Sequence, residues 1–108
     1  MRKQYNKLVR DRIPEIIERD GRAYEVVSMS DEEYREALRT KLIEEAEEAA
    51  VADREKLLSE LADVYEIIDA IMVAYGIQRE HVLEEQKTRR DQRGGFAKRI
   101  QLLWAESE

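Results

Sequence analysis

The sequence predicts an all-α fold, with an antiparallel helix hairpin inside a helical bundle that is completed by oligomerisation. Two long segments, one on each side of Asp53, carry apolar residues at the three- and four-residue spacing of a helix face. Residues 23–29 are β-branched and aromatic enough to be extended, but too isolated to form a sheet. Because a tight turn joins the two long helices, we expect them to pack side by side in opposite directions.

The elements before the hairpin are short. Pro14 suits the first turn of a helix over residues 15–19, and Gly21 suits its end. Residues 23–29 then form a connecting arm that leads to the first long helix.

The two long helices have recognisable boundaries. Ser30 and Glu33 have the spacing of a capping box, in which each side chain satisfies the other residue's free backbone N–H, so a helix begins there. Its apolar stripe consists of Leu38, Leu42, Ala49 and Ala52. Asp53 breaks or caps this helix, and Gly76 ends the next one. The stripe of that second helix consists of Leu57, Leu61, Val64, Ile68, Ile71, Met72 and Tyr75.

The C-terminal part is more polar. Residues 78–92 predict a third long helix, residues 93–96 a glycine-containing loop, and residues 100–104 a last apolar turn. The composition, with 6% aromatic and 41% charged residues in 108, leaves a thin core, which favours a homodimer or higher homo-oligomer. The absence of cysteine and of long apolar runs predicts a cytoplasmic protein with no membrane partner.

The charges are unevenly distributed. Basic residues dominate residues 2–12 and 87–99, and the acidic residues between them give the whole chain a net charge of −6. This arrangement is natural for a site that holds a cation and an anion together, although two solvated basic ends would look the same. The acidic centre argues against nucleic acid as a partner.

Four acidic residues are out of place on the helical wheel. Glu45 lies inside the apolar stripe of its helix with Glu48 at the edge, whereas Glu60 and Asp63 flank Ile67 at the shoulder of the next stripe. Within each pair the residues are three apart, so their side chains lie on one side of the helix. Converging carboxylates repel one another unless they are protonated or bridged by a metal. An all-oxygen cluster favours Mg²⁺, or Mn²⁺, over zinc.

The carboxylate segments resemble a known family. Residues 41–48 (KLIEEAEE) and 60–64 (ELADV) resemble the two halves of the E-x-x-E and E-x-x-D metal signature of the all-α, MazG-like nucleotide pyrophosphohydrolases. Residues 5–14 (YNKLVRDRIP) and 93–96 (RGGF) resemble its small single-domain branch, the phosphoribosyl-ATP pyrophosphohydrolase-like proteins. The resemblance covers nearly the whole chain and implies one such domain over residues 1–108.

The resemblance implies that Glu45, Glu48, Glu60 and Asp63 bind Mg²⁺ and are catalytic. A register with Glu44 and Glu47 is less favourable, because those two residues face outwards on the wheel. The expected reaction hydrolyses the α,β-phosphoanhydride of a nucleotide to a monophosphate and pyrophosphate. Candidates to bind the phosphate oxygens are the basic residues Lys7, Arg10, Lys87, Arg90 and Arg93.

Two other functions remain open from the sequence. The first is hydrolysis of phosphoribosyl-ATP itself, in histidine synthesis. The second is a non-catalytic helical interaction module whose acidic face binds a basic partner. Such a module would not require acidic residues on the buried side of its helices, where Glu45 and Glu60 lie.

Overall fold

The computed structural model describes residues 1–107, which form four α-helices and no strand. The helices are α1 (Ile13–Arg19), α2 (Asp31–Val51), α3 (Arg54–Ala74) and α4 (Arg79–Arg93). The prediction of an all-α fold is therefore confirmed. The chain divides into two compact units, of which the first, Met1–Gly76, contains α1 to α3, and the second begins at Ile77 and contains α4.

Helix α1 starts slightly earlier than the sequence predicted, at Ile13 instead of Glu15. Pro14 lies in its first turn, where a missing N–H costs no helical hydrogen bond. Glu15 bridges two arginines, with Oε1 at 2.9 Å from Nη2 of both Arg12 and Arg19. Gly21 follows the helix with a φ of +73°, a conformation that a residue with a Cβ rarely adopts.

Helix α2 begins at the predicted capping box. Ser30 Oγ accepts a hydrogen bond from Glu33 N at 3.2 Å, and Ser30 N donates to Glu33 Oε1 at 3.1 Å. Donation from the Ser30 backbone, followed by the Ser30 side chain, lowers the pKa of Glu33 below its ordinary value. The ionised carboxylate therefore belongs to the cap.

Helix α3 begins at the second predicted cap. Asp53 Oδ1 accepts a hydrogen bond from Lys56 N at 3.0 Å, so Asp53 caps α3 and ends the helical run of α2. The helix ends at Ala74, and Gly76 follows with a φ of +66°. Both boundaries agree closely with the prediction because they depend on short-range chemistry.

Helices α2 and α3 pack against each other. The buried apolar residues of the described chain are Leu38, Ile67 and Met72. Near the start of α2, Arg35 Nε donates to the carbonyl oxygen of Ala74 at 3.1 Å. The same guanidinium lies 5.7 Å from the centroid of the Tyr75 ring, a cation–π distance.

The buried face of α3 is rotated relative to the predicted stripe. Ile67, which the wheel placed at the shoulder, is 8% exposed, whereas Leu57 and Leu61 are 37% and 45% exposed. Because Glu60 and Asp63 flank Ile67, this rotation brings them closer to the packed side of α3. Apolar side chains of α2 and α3 are also uncovered within this chain, among them Ile43, Val51, Leu58, Tyr65 and Val73.

In the second unit, α4 runs over Arg79–Arg93, close to the predicted range. The predicted apolar turn over residues 100–104 is wrong, because these residues form no helical turn and Ile100, Leu102, Leu103 and Trp104 are exposed. A segment this short gains too little from its own backbone hydrogen bonds to become helical without a surface to pack on. None of the helices in residues 1–107 combines the length and apolar character needed to cross a bilayer.

Candidate metal centre

Three carboxylates from two helices converge in the first unit. Glu45 projects from α2, and Glu60 and Asp63 project from α3. Each of these residues contributes one carboxylate oxygen to a group in which all three oxygens lie within 4.8 Å of one another. All three residues are partly buried. The convergence follows from the helix register, since three-residue spacing puts Glu60 and Asp63 on one side of α3, facing α2.

The group concentrates negative charge away from water. Oε2 of Glu45 and Oε2 of Glu60 are buried and have no hydrogen-bond partner. Burial raises the pKa of Glu45, the charges of Glu48 and Asp63 raise it further, and Lys41 partly opposes them. Burial also raises the pKa of Glu60, again followed by the charges of Glu48 and Asp63. Ionising all of these groups together is therefore costly without a cation.

A divalent cation fits this donor set. The fold itself provides no hydrogen-bond donor to two buried carboxylate oxygens, one of Glu45 and one of Glu60. The donors are all carboxylate oxygens, a composition that suits Mg²⁺ or Mn²⁺ rather than zinc. The group is also accessible from outside, because the Asp63 side chain is 39% exposed.

Glu48 lies beside the three carboxylates and not among them. It is exposed, yet its carboxyl group lies against both Glu45 and Glu60 and raises the pKa of each. Glu44 and Glu47, the alternative pair of ligands, have different surroundings. Glu47 is exposed, and Glu44 Oε2 lies 4.0 Å from Lys41 Nζ. Neither Glu44 nor Glu47 belongs to the converging group.

Arg10 reaches this group from the N-terminal arm, residues 1–12, which precedes α1. Its Nη2 donates to Asp63 Oδ1 at 2.7 Å, an ion pair between residues far apart in the sequence. A turn positions the arm here, because Ile13 N donates to the carbonyl oxygen of Arg10 at 3.1 Å. Lys7 is exposed and lies next to Asn6, whose φ of 46° bends the arm.

The other predicted phosphate-binding residues lie in the second unit. Lys87, Arg90 and Arg93 are exposed residues of α4. The last turn of the helix is held by Gly94 N, which donates to the carbonyl oxygen of Arg90 at 2.7 Å. Their phosphate-binding role stays a prediction.

Two lysines near the carboxylates, Lys41 and Lys56, are not among the predicted site residues. Lys41 Nζ lies 3.9 Å from Glu45 Oε1, and its side chain is 17% exposed. Lys56 lowers the pKa of Glu60, in opposition to the acidic neighbours. Each lysine precedes its glutamate by four residues, a spacing that places both on one helix face and could have identified them.

A shallow open cavity adjoins the carboxylates where α2 meets α3. Its volume is about 330 Å³. It is lined by Glu48, Val51, Ala52, Asp53, Lys56 and Glu60. The cavity therefore places a lysine and three carboxylates around one space that a small polar ligand can enter.

No family model matches the chain, and no solved structure gives a significant match. The chain is similar to a Mycolicibacterium smegmatis protein described as an uncharacterized protein, with 51% identity over 47 residues. The match covers 44% of this chain and 48% of that protein. The chain thus spans about half the length of the curated relative that it matches.

Proposed function

We propose that the chain is a Mg²⁺-dependent nucleotide pyrophosphohydrolase. It hydrolyses the α,β-phosphoanhydride of a nucleoside triphosphate or related nucleotide to a nucleoside monophosphate and pyrophosphate. The observation that carries this proposal is the convergence of Glu45, Glu60 and Asp63 with two buried oxygens that lack a partner. The resemblance of their segments to the MazG-like metal signature connects the cluster to this reaction.

In this proposal the carboxylates of Glu45, Glu60 and Asp63 hold Mg²⁺, and Mn²⁺ can replace it. When bound, the cation neutralises phosphate oxygens and stabilises the pyrophosphate leaving group. Glu48 is exposed beside the three carboxylates, so it can orient the attacking water and accept its proton. Glu48 is thus catalytic without needing to be a permanent ligand.

Basic residues then position the phosphates. Lys56 lines the open cavity together with Glu60, which suits a contact to a phosphate oxygen next to the cation. Arg10 is already at Asp63. Lys7, Lys87, Arg90 and Arg93 remain candidates for the outer phosphates. Activity on a nucleotide suits a cytoplasmic location, and a chain without cysteine is compatible with that reducing compartment.

We further propose that α2 and α3 form the antiparallel hairpin of a helical bundle that a second copy of the chain completes. The contact of Arg35 with Ala74 joins the start of α2 to the end of α3, as such a hairpin requires. The buried apolar residues Leu38, Ile67 and Met72 make a thin core for a stable domain. A homodimer, or a higher homo-oligomer, would cover the exposed apolar side chains of both helices.

Pyrophosphate release from a panel of nucleoside triphosphates and phosphoribosyl-ATP tests the proposed reaction. The assay is run with Mg²⁺ and with EDTA, on the wild type, Glu60→Gln and Glu66→Gln. Glu66 is an exposed carboxylate of the same helix, so its variant controls for a lost charge. We expect Mg²⁺-dependent release that falls at least about a hundredfold in Glu60→Gln and is unchanged in Glu66→Gln.

The same panel separates the alternatives. Release from phosphoribosyl-ATP in strong preference to the triphosphates would assign the histidine-synthesis reaction. Absence of release from every substrate, or equal activity of Glu60→Gln and wild type, would contradict the proposed function. The first of these results, with an intact fold in EDTA, would favour the non-catalytic interaction module.

A further inference from the structure

The guanidinium of Arg10 forms an ion pair with Asp63, so a positively charged side chain already lies at the candidate metal centre. The contact is short, with 2.7 Å between Nη2 and Asp63 Oδ1, and both side chains are partly exposed, by 55% and 39%. It joins the N-terminal arm to α3 across 53 positions of the sequence. Neither helical spacing nor sequence proximity imposes this pairing.

The guanidinium occupies one side of the carboxylate group. Asp63 Oδ1 accepts a hydrogen bond from Arg10 in this structure, whereas the buried Oε2 atoms of Glu45 and Glu60 accept none. A divalent ion that used Asp63 would meet the positive charge of Arg10 at the same carboxylate. The two cations would repel each other at a shared carboxylate, so they compete for Asp63.

We propose that Arg10 holds Asp63 in the metal-free chain, leaves it when a divalent ion binds, and then binds a phosphate oxygen of the substrate. This inference rests on the proposed function and adds an order of binding to it. The cation binds first, because it must displace Arg10 before the arginine is free to bind the nucleotide. Arg10 is thus an internal competitor for the metal and, once displaced, a phosphate ligand.

The geometry allows this exchange at small cost. An exposed ion pair contributes little in water, so a bound divalent ion can displace the guanidinium readily. The arm need not unfold, because the hydrogen bond from Ile13 N to the Arg10 carbonyl keeps the backbone in place while the long side chain rotates. A guanidinium then presents to phosphate the same donors that it presents to a carboxylate.

Titration with Mn²⁺ tests the competition on the full chain. The variants are Arg10→Met, which keeps the apolar stem without the charge, and Arg12→Met as the matched control. Arg12 lies on the same arm, but its ion pair is with Glu15 of α1, at 2.9 Å. Free Mn²⁺ is followed by electron paramagnetic resonance, and circular dichroism without metal verifies each fold. Arg10→Gln serves as a second neutral variant.

We expect Arg10→Met to bind Mn²⁺ about two- to fivefold more tightly than the wild type, the factor that the loss of an exposed competing ion pair implies. Arg12→Met should bind like the wild type. Equal or weaker binding by both Arg10 variants, with clear binding by the wild type, would overturn the inference and leave the metal site standing. Absence of Mn²⁺ binding in every variant would overturn the proposed metal site and the inference with it.

Inorganic phosphate tests the second half of the inference. If the displaced Arg10 binds phosphate, then phosphate and Mn²⁺ must strengthen each other's binding, because such coupling is reciprocal. Adding phosphate should therefore tighten Mn²⁺ binding by the wild type and by Arg12→Met, but not by Arg10→Met. An equal effect of phosphate on all three proteins would contradict the transfer of Arg10 to the substrate.

Discussion

At the residue scale, the raised pKa values of Glu45 and Glu60 make the metal-free fold sensitive to pH. The pKa of each carboxyl group is higher in the folded chain than its ordinary value of 4.5. Their contribution to stability is therefore complete below that value, and it is lost as the pH rises through the folded-state pKa. A divalent cation that compensates both charges should remove this loss.

The first prediction concerns this loss of stability with rising pH. In EDTA, thermal denaturation should show a melting temperature that declines as the pH rises above about 4.5, the unfolded-state value. Saturating Mg²⁺ should flatten the decline between mildly acidic and neutral pH. A decline that is identical with Mg²⁺ and with EDTA would show that these carboxylates do not hold the cation.

The second prediction concerns the charge of Glu60 itself. In EDTA at neutral pH, Glu60→Gln should raise the melting temperature, because it removes a carboxylate whose ionisation burial and acidic neighbours oppose. In saturating Mg²⁺ the order should reverse, since the variant has lost a ligand. Glu66→Gln, an exposed change on the same helix, should show neither effect. The same order of stability in both buffers would be the contrary result.

Part of the site could be predicted from the positions of acidic residues on each helix. Helix phase directed Glu45, Glu48, Glu60 and Asp63 towards the region between the helices. The structure brings oxygens of Glu45, Glu60 and Asp63 within 4.8 Å of one another and leaves Glu48 outside that group. The ion pair of Arg10 with Asp63 could not be predicted, because no local pattern relates an arm residue to a residue of α3. Lys56 could have been found from its four-residue spacing to Glu60.

At the element scale, short-range chemistry sets the helix boundaries. Ser30 and Asp53 cap α2 and α3 as the sequence predicted, because a cap needs only the residues around it. The rotation of the buried face of α3 towards Ile67 could not be predicted in the same way. It depends on how α2 packs against α3, which no single helical pattern contains.

The third prediction tests the cap of α2. Ser30→Ala should lower the free energy of unfolding by about 1 kcal/mol, because Glu33 N loses its acceptor and the reciprocal bond weakens. Ser30→Asp, which retains a capping oxygen, should cost much less. Urea denaturation of both variants at neutral pH measures the difference. Equal stability of the two variants would show that the capping box does not stabilise this helix start.

The cap also has a pH dependence of the opposite sign to that of Glu45 and Glu60. Because the pKa of Glu33 is lowered in the folded chain, its stabilising contribution is present above the ordinary value of 4.5 and is lost as the pH falls through the folded-state pKa. The stability difference between the wild type and Glu33→Gln should therefore shrink on acidification. A difference that does not change with pH would contradict this role.

At the scale of the whole molecule, the exposed apolar side chains of α2 and α3 need a covering surface. Leu58 and Val73 of α3 are 81% and 82% exposed, and Ile43 of α2 is 61% exposed. Exposed apolar side chains on both helices of a small domain are compatible with a protein interface. The proposed homo-oligomer would place a second copy of the chain on these side chains.

The fourth prediction tests this interface. Leu58→Glu should weaken self-association at least about tenfold, because it puts a charge into the apolar contact. Ser59→Glu adds the same charge at the neighbouring exposed position and should leave association unchanged. Sedimentation equilibrium measures both. A wild type that is monomeric, or a Leu58→Glu variant that associates like the wild type, would contradict the proposed assembly.

The central claim is that the carboxylates of α2 and α3 hold a catalytic divalent cation, and anomalous diffraction from crystals grown with Mn²⁺ tests it most directly. We expect an anomalous peak at Glu45, Glu60 and Asp63, with Glu48 beside it and the Arg10 side chain withdrawn from Asp63. An anomalous map without a peak at these carboxylates, with Arg10 still paired to Asp63 at saturating Mn²⁺, would contradict it.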